Sequence, residues 1–478
     1  MKRLFYTLLF FLPCMLIACG GSDDTPDGDN NPPVVAPPSE EPVDSRLLYN
    51  GIRLPEQWPP VRSSSSELEK GMSPFYLSDK PSVINISVGR QLFVDNFLIE
   101  STNLKRTFYY PEYYSGNPIL TPEQDWEKTG TKGAAFAAPF SDGVWYDEKE
   151  GKYKMWYMAG GGSYATSGAG VTCYAESTDG IHWTKPILSV VAGTNIVDYN
   201  SERDASVVWL DKQESNASKR YKMFLVARES GKWRYHYKTS PDGKVWRAAV
   251  QSEPIADRST VYKNPFRNVW VYSMRHNVRV DANKLVRARD YNENADPEAG
   301  TKKAEALLSA FWFGPWANEQ HHTDYPNIAP AIYNQDATPY ESIMLGFFSV
   351  WQGPENDVCA SDNVIKRNQV MVGYSRDGYS WFREDMNPFH AVNTTTSDAW
   401  NQGNLQSVAG APLIVGDKLY FYLSGRRLRG TQEITTTGLA MLRRDGFASM
   451  KGTGELQTSL LKFDGSYFFV NANVTGEM

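Results

Sequence analysis

The chain has 478 residues, 41% of them hydrophobic and 22% charged, with a formal net charge of -6 at pH 7. These are the proportions of a globular protein, and the length exceeds one ordinary core unless a large all-β barrel or propeller holds most of it. No basic run of five or more occurs, and phosphate binding needs clustered Lys and Arg, so no nucleic-acid partner is expected.

The N-terminus reads as a targeting segment. Lys2 and Arg3 precede the short apolar run "LFYTLLFFLPCMLIAC", which ends on Leu16-Ile17-Ala18-Cys19. This order of charge, apolar run and Cys resembles a bacterial lipoprotein signal over residues 1–19. The resemblance implies acylation of Cys19 and a lipid-anchored protein of the cell envelope. Gly20 stands where an Asp often signals inner-membrane retention, so outer-membrane anchoring is expected, on its periplasmic or its surface face. Residues 20–45, rich in Gly, Asp, Asn and Pro, read as a disordered tether. Lipid and tether together predict membrane contact through the anchor only.

Residues 46–139 read as an N-terminal extension. Within it "RQLFVDNFLIE" (90–100) is strand-like and is expected to supply a ring-closing strand to the last unit. Residues 140–453 repeat one plan five times: a short apolar strand, a turn, an aromatic-rich strand, then a further strand and an Asp-Gly turn. The turn is written "ESTDGIHW" (176–183), "TSPDGKVW" (239–246), "YSRDGYSW" (374–381) and, more loosely, "LRRDGFASM" (442–450). Ser177 to Ser240 spans 63 residues (240 − 177), and Ser240 to Ser375 spans 135 (375 − 240), room for two units with the middle turn lost. Several strands per unit at this period predict an all-β, five-bladed β-propeller. Asp-Gly meets the φ > 0 demand of a tight turn, so the motif is structural, with its Trp packing between blades. The high aromatic fraction, 13% with 14 Trp and 27 Tyr, fits strands and also flat apolar sugar platforms. "EALLSAFWFGPWANEQHH" breaks the pattern and reads as a short helix or long loop between units three and four. Residues 454–478 read as strands, either packed on the propeller or opening another β-domain. Cys173 and Cys359 are expected to be free thiols, and no Cys/His spacing suggests a metal, so no cofactor is implied.

"NPIL" (117–120), "SDGVWYDEKEGKYKMWYM" (141–158), "RDASVVWLD" (203–211) and the Asp-Gly boxes resemble the five-bladed propeller glycosidases, glycoside hydrolase families 32, 43 and 117 and their relatives. That resemblance, which covers most of 85–470, implies a hydrolase that cleaves poly- or oligosaccharides. Its paired carboxylates would project from the ends of inner strands into a central funnel. Asp142 stands where it places the base or nucleophile, with Ser141 and Gly143 replacing the family's usual neighbours; Asp95 is a reserve. Arg203-Asp204 is similar to the family's Arg-Asp-Pro, with Ala205 in place of Pro. Asp257, beside Arg258, and Glu341 compete for the general acid, which needs apolar walls or a nearby carboxylate to stay protonated. Arg203, Arg258, His321, His322, Trp400, Asn404, Gln406 and Arg426 are the candidate sugar-binding residues, Arg426 toward a carboxylate or sulfate. An Asp at a strand start is more often a turn or capping residue than a catalyst. A non-catalytic glycan-binding lipoprotein on the same scaffold is the alternative.

Overall fold

The computed structural model describes residues 44–128, 134–164, 170–282, 284–306, 308–396, 398–410 and 412–474. The segment expected to be a lipoprotein signal, with Cys19, and the expected tether through residue 43 lie outside the described residues.

Four short strands come first: β1 (Ile84–Asn85), β2 (Ile99–Thr102), β3 (Lys105–Phe108) and β4 (Glu112–Tyr113). Blade one follows, with its inner strand split into β5 (Ala135–Ala138) and β6 (Val144–Asp147), then β7 (Lys152–Ala159) and β8 (Gly170–Ser177). The 15-residue β9 (Ile196–Leu210) serves two blades: Ile196 and Asp198 edge blade one, and Arg203–Leu210 is the inner strand of blade two. Blade two continues through β10 (Tyr221–Glu229), β11 (Lys232–Ser240) and β12 (Arg247–Gln251). Blade three is β13 (Thr260–Asn264), β14 (Val269–Arg279), β15 (Leu285–Asn294) and β16 (Ala310–Phe313). Blade four is β17 (Ala331–Tyr340), β18 (Ile343–Gly353) and β19 (Arg367–Ser375), edged by the bridge from Val370 to His390. Blade five is β20 (Asn404–Val408) and β21 (Leu413–Val415), then β22 (Lys418–Arg429) and β23 (Gln432–Arg443). Three strands end the chain: β24 (Ala448–Lys451), β25 (Leu456–Thr458) and β26 (Leu461–Lys462). Five antiparallel sheets in chain order make a five-bladed β-propeller.

The ring closes on a different segment from the one expected. Tyr113 and Glu112 pair with Ala440 and Met441 of β23, and Leu120 bridges Thr437, so residues 112–120 form the outer edge of blade five. The 90–100 stretch instead packs Leu92, Val94, Phe97 and Leu98 inward. It is pinned to blade four by Asp95, fully buried, which accepts from Arg376 Nε at 2.9 Å and Nη2 at 2.8 Å. The C-terminal strands pair back onto the extension, β24 with β3, β25 with β2 and β26 with β1. In the stretch read as an insertion, Ala310–Phe313 is the outer strand of blade three; the helix lies earlier, at Pro297–Lys303.

Large aromatic side chains fill the wedges between blades. Trp209 of blade two meets Trp270 of blade three at 5.8 Å, Phe313 meets Phe348 of blade four at 5.5 Å, and Phe347 meets Phe421 of blade five at 5.9 Å. Such rings supply much apolar area per residue, which suits gaps that widen away from the axis. The repeated turn box is the other joint. In three copies the Ser hydroxyl accepts from the Gly N–H while the Asp carboxylate accepts from the next two N–H groups. Gly180, Gly243 and Gly378 sit at φ between +74° and +77°. Each box then receives a side chain from the preceding blade. Tyr422 Oη donates to Gly180 O at 2.8 Å, Trp156 Nε1 to Gly243 O at 2.6 Å, and Asn264 Nδ2 to Asp377 O at 3.1 Å. In the looser copy Tyr340 Oη donates to Asp445 at 2.6 Å. A Cβ at Gly243 would overlap the Trp156 indole, which explains the glycine twice over.

Candidate functional site

The inner strands run the same way, and their N-terminal ends meet at one mouth of the central channel. Three of them carry a one-residue irregularity near that end. Asp204 and Ala205 face the single Val226 of β10, because pairing steps from Leu225–Ser206 to Ala227–Arg203. Tyr333 has no partner between Ile332–Val350 and Asn334–Ser349, and Ser407 has none between Gln406–Ser424 and Val408–Leu423. A β-bulge re-aims the side chain it carries. Here it turns Asp204, Tyr333 and Ser407 out of the regular alternation.

Asp204 and Asp257 come together through Arg258. Arg258 donates to Asp204 Oδ1 from its backbone N–H and pairs with it through Nε, both at 3.0 Å. Its φ of +54° is costly for a residue with a side chain, and it is held there by that carboxylate and by Arg289, which donates to its carbonyl at 2.9 Å. The guanidinium lies over the rings of Phe140 (5.5 Å) and Tyr333 (5.6 Å). Asp257 pairs with Arg275. Burial, and then the nearby charge of Asp204, raise the Asp257 carboxyl above its ordinary range, against the pull of Arg275 and Arg258. Burial would push the Tyr333 phenol up, but the charges of Arg258 and Lys366 outweigh it and hold it below the usual phenol range.

Deeper in the channel a polar layer joins three blades. Asn334 Nδ2 approaches Ser407 Oγ (2.8 Å), Asp336 Oδ2 (2.9 Å) and Ser141 Oγ (3.3 Å). Asp336 also accepts from the Val408 N–H at 3.2 Å, and its burial pushes the carboxyl up to about 6. Beside this layer Asp142 is fully buried and accepts from Arg203 Nη2 at 2.8 Å; Arg203 Nη1 donates to Thr172 at 2.6 Å. Burial raises the Asp142 carboxyl despite Arg203.

The other sequence candidates scatter. Glu341 lies in the turn after β17, eight residues (341 − 333) beyond Tyr333 and so roughly 25 Å down an extended strand. It pairs there with Arg90 at 2.7 Å and Arg444 at 3.4 Å, at the end that carries the turn boxes. Trp400 is wedged over Gly425 and Gly438, where any Cβ would overlap its indole, and meets the Tyr113 ring edge-on at 5.6 Å. There it packs the ring closure. His321 is exposed and contacts Pro326 O at 2.8 Å, while His322 is buried against Tyr325. Asn404 donates to Lys366 O at 2.9 Å, and Gln406 is buried with its Nε2 unpartnered among the described residues. Arg426 pairs with Glu433 at 3.0 Å. Cys173 and Cys359 are free.

Tyr333, Asp336, Arg275, Arg287 and Lys366 escaped the sequence reading. "AIYNQDA" held a signal for one of them: Asn334 and Asp336, two apart, share a face of a buried inner strand. The bulge that turns out Tyr333 has no sequence mark.

No family model matches the chain, and no curated protein matches it. Among solved structures it is similar to an N-acetylgalactosamine deacetylase from F. plautii in complex with blood group B trisaccharide (11% identity, 68% of this chain and 96% of that one, TM-score 0.43). It is similar also to a glycosyl hydrolase from Bacteroides ovatus (13% identity, 72% and 97%, TM-score 0.40). A third likeness is to a variant fructofuranosidase from Schwanniomyces occidentalis complexed with fructosylnystose (11% identity, 71% and 64%, TM-score 0.39). These distant likenesses are of architecture.

Proposed function

We propose that the chain is a glycoside hydrolase acting on poly- or oligosaccharides at the channel mouth, with Asp257 as general acid and Asp204 as base or nucleophile. One observation carries the reading: two carboxylates at the ends of adjacent inner strands, with the charge of one raising the proton affinity of the other. That is the division of labour that glycosidic cleavage needs. Asp257 would give its proton to the leaving oxygen as the bond to the anomeric carbon breaks. Asp204 would attack that carbon or take a proton from the attacking water. Arg258, bonded to Asp204 through backbone and side chain, would keep that carboxylate aimed. The lipoprotein-like N-terminus supports an envelope location, anchored through Cys19 at the outer membrane.

A specific feature favours the rival reading of a glycan-binding protein: both carboxylates already hold an arginine. Sugar release from a panel of oligosaccharides decides between them. Asp204→Asn and Asp257→Asn should each lose about a thousandfold of the rate with folding intact. Activity of the wild type should fall at high pH as Asp257 loses its raised proton, and Asp257→Asn should abolish that limb of the profile. Near-normal rates in both variants would sink the assignment, and glycan binding without release from any substrate would establish the rival.

A further inference from the structure

Around the bulged Tyr333 the channel mouth collects positive charge that the two catalytic candidates do not consume. The ring has Arg258 and Arg287 each at 5.6 Å from its centroid and Lys366 at 5.8 Å. Arg426 adds its charge from β22, where it pairs with Asn404 at the start of blade five, and Arg275 stands beside Asp257. Arg258 is committed to Asp204, Arg275 to Asp257 and Arg426 to Glu433. Among the described residues no carboxylate lies within 4.0 Å of Arg287 or Lys366. Five cations against three carboxylates leave a local surplus of two (5 − 3), in a chain whose overall charge is -6.

We propose that the mouth takes a glycan bearing an anionic group, a carboxylate or a sulfate, and that Arg287 and Lys366 hold that group beside Tyr333. The inference rests on the glycosidase reading only for the sugar part of the ligand. Half-buried like charges repel one another, and an incoming anion relieves that repulsion. Both side chains are placed for the task. The Arg287 guanidinium also lies over the Trp351 ring at 5.1 Å, and a guanidinium fork can donate to two oxygens at once. Lys366 is anchored through its own carbonyl by Asn404, and its half-buried ammonium supplies a point charge 5.8 Å from the centre of the ring. Tyr333, half-buried at the mouth, offers aromatic surface to a pyranose ring. The low proton affinity of the Tyr333 phenol reports the same positive potential.

Titration calorimetry on the full chain tests this, with trigalacturonate, a sulfated galactan tetrasaccharide, neutral galactotriose and inorganic sulfate as probes. One anionic sugar should bind at least about tenfold tighter than galactotriose, and the gap should shrink as salt rises from about 50 to about 300 mM. Which of the two binds names the anion. Arg287→Gln and Lys366→Gln should each weaken that probe by about tenfold or more and leave galactotriose unchanged. Arg287→Lys, which keeps the charge but not the fork, should fall between. Equal affinity for the neutral sugar, full anionic affinity in both Gln variants, or inorganic sulfate binding as tightly as the sugar would each overturn the proposal. Anion-selective binding with no sugar release from any substrate would sink hydrolysis alone and uphold this reading. Release of neutral sugars without any anion preference would do the reverse.

Discussion

Asp336→Asn is expected to make the protein more stable at neutral pH. In the folded state Asp336 keeps its proton up to about pH 6, because burial opposes its charge; in the unfolded chain it lets go near 3.8. Between those values the folded state binds more protons than the unfolded one, so this residue's contribution to stability falls as pH rises. The span of about 2.2 units (6 − 3.8), at about 1.36 kcal/mol per unit, makes the penalty on the order of 3 kcal/mol above pH 6. Below about pH 4 it vanishes. An Asn at this position keeps both bonds, since its Oδ1 can accept from Asn334 Nδ2 and from the Val408 N–H as the carboxylate does. Urea unfolding of both proteins at about pH 4 and about pH 7.5 reads the effect. Matching stabilities are expected in acid, with the variant ahead by up to about 3 kcal/mol at the higher pH. A variant equal to or weaker than wild type at the higher pH would refute the reasoning, because it would mean that the layer around Asn334 stabilises an ionised Asp336. If the variant gains stability and loses sugar release, the carboxylate is retained for function at the expense of stability.

Two further predictions concern the scaffold. Gly243→Ala should cost about 3 kcal/mol by urea unfolding, because the new methyl overlaps Trp156 at a left-handed backbone position; Gly231→Ala, at a similar φ of +78° but with open space around it, should cost only about 1 kcal/mol. Equal losses would show that backbone strain alone, without the blade-to-blade latch, sets the effect. Trp400→Ala should lower stability by about 3–5 kcal/mol while glycan affinity per folded molecule stays unchanged; weakened sugar binding at unchanged stability would return Trp400 to the ligand.

The blades were legible because the Ser-x-Asp-Gly turn is self-contained: its hydrogen bonds join residues within a few positions, so the motif survives wherever the turn does. The ring closure was not. Residues 112–120 form a two-residue strand and one bridge, and their partners lie more than 300 positions away, so nothing local distinguishes them from the more strand-like 90–100. In the candidate site, Asp204 and Asp257 could be read as neighbours because each heads an inner strand of consecutive blades. Glu341, weighed as the general acid because Glu is the usual acid in the family it resembles, heads the second strand of blade four and so lies at the opposite end. Lys366 and Arg287 come from outside the inner strands, and only the assembled ring brings them to Tyr333. Trp400 resembled a platform because the glycines that seat it are far along the chain, at 425 and 438.

The outer edge of blade five is made from chain that precedes blade one. During synthesis, residues 112–120 emerge long before β23 and must wait for it. Ring closure therefore waits until the last blade has been made, and until then blade five offers an open edge. Contacts this distant in sequence are slow to form. An open strand edge in the meantime invites pairing with another chain. A helper that shields this edge would act on the nearly complete propeller rather than on the nascent first blades.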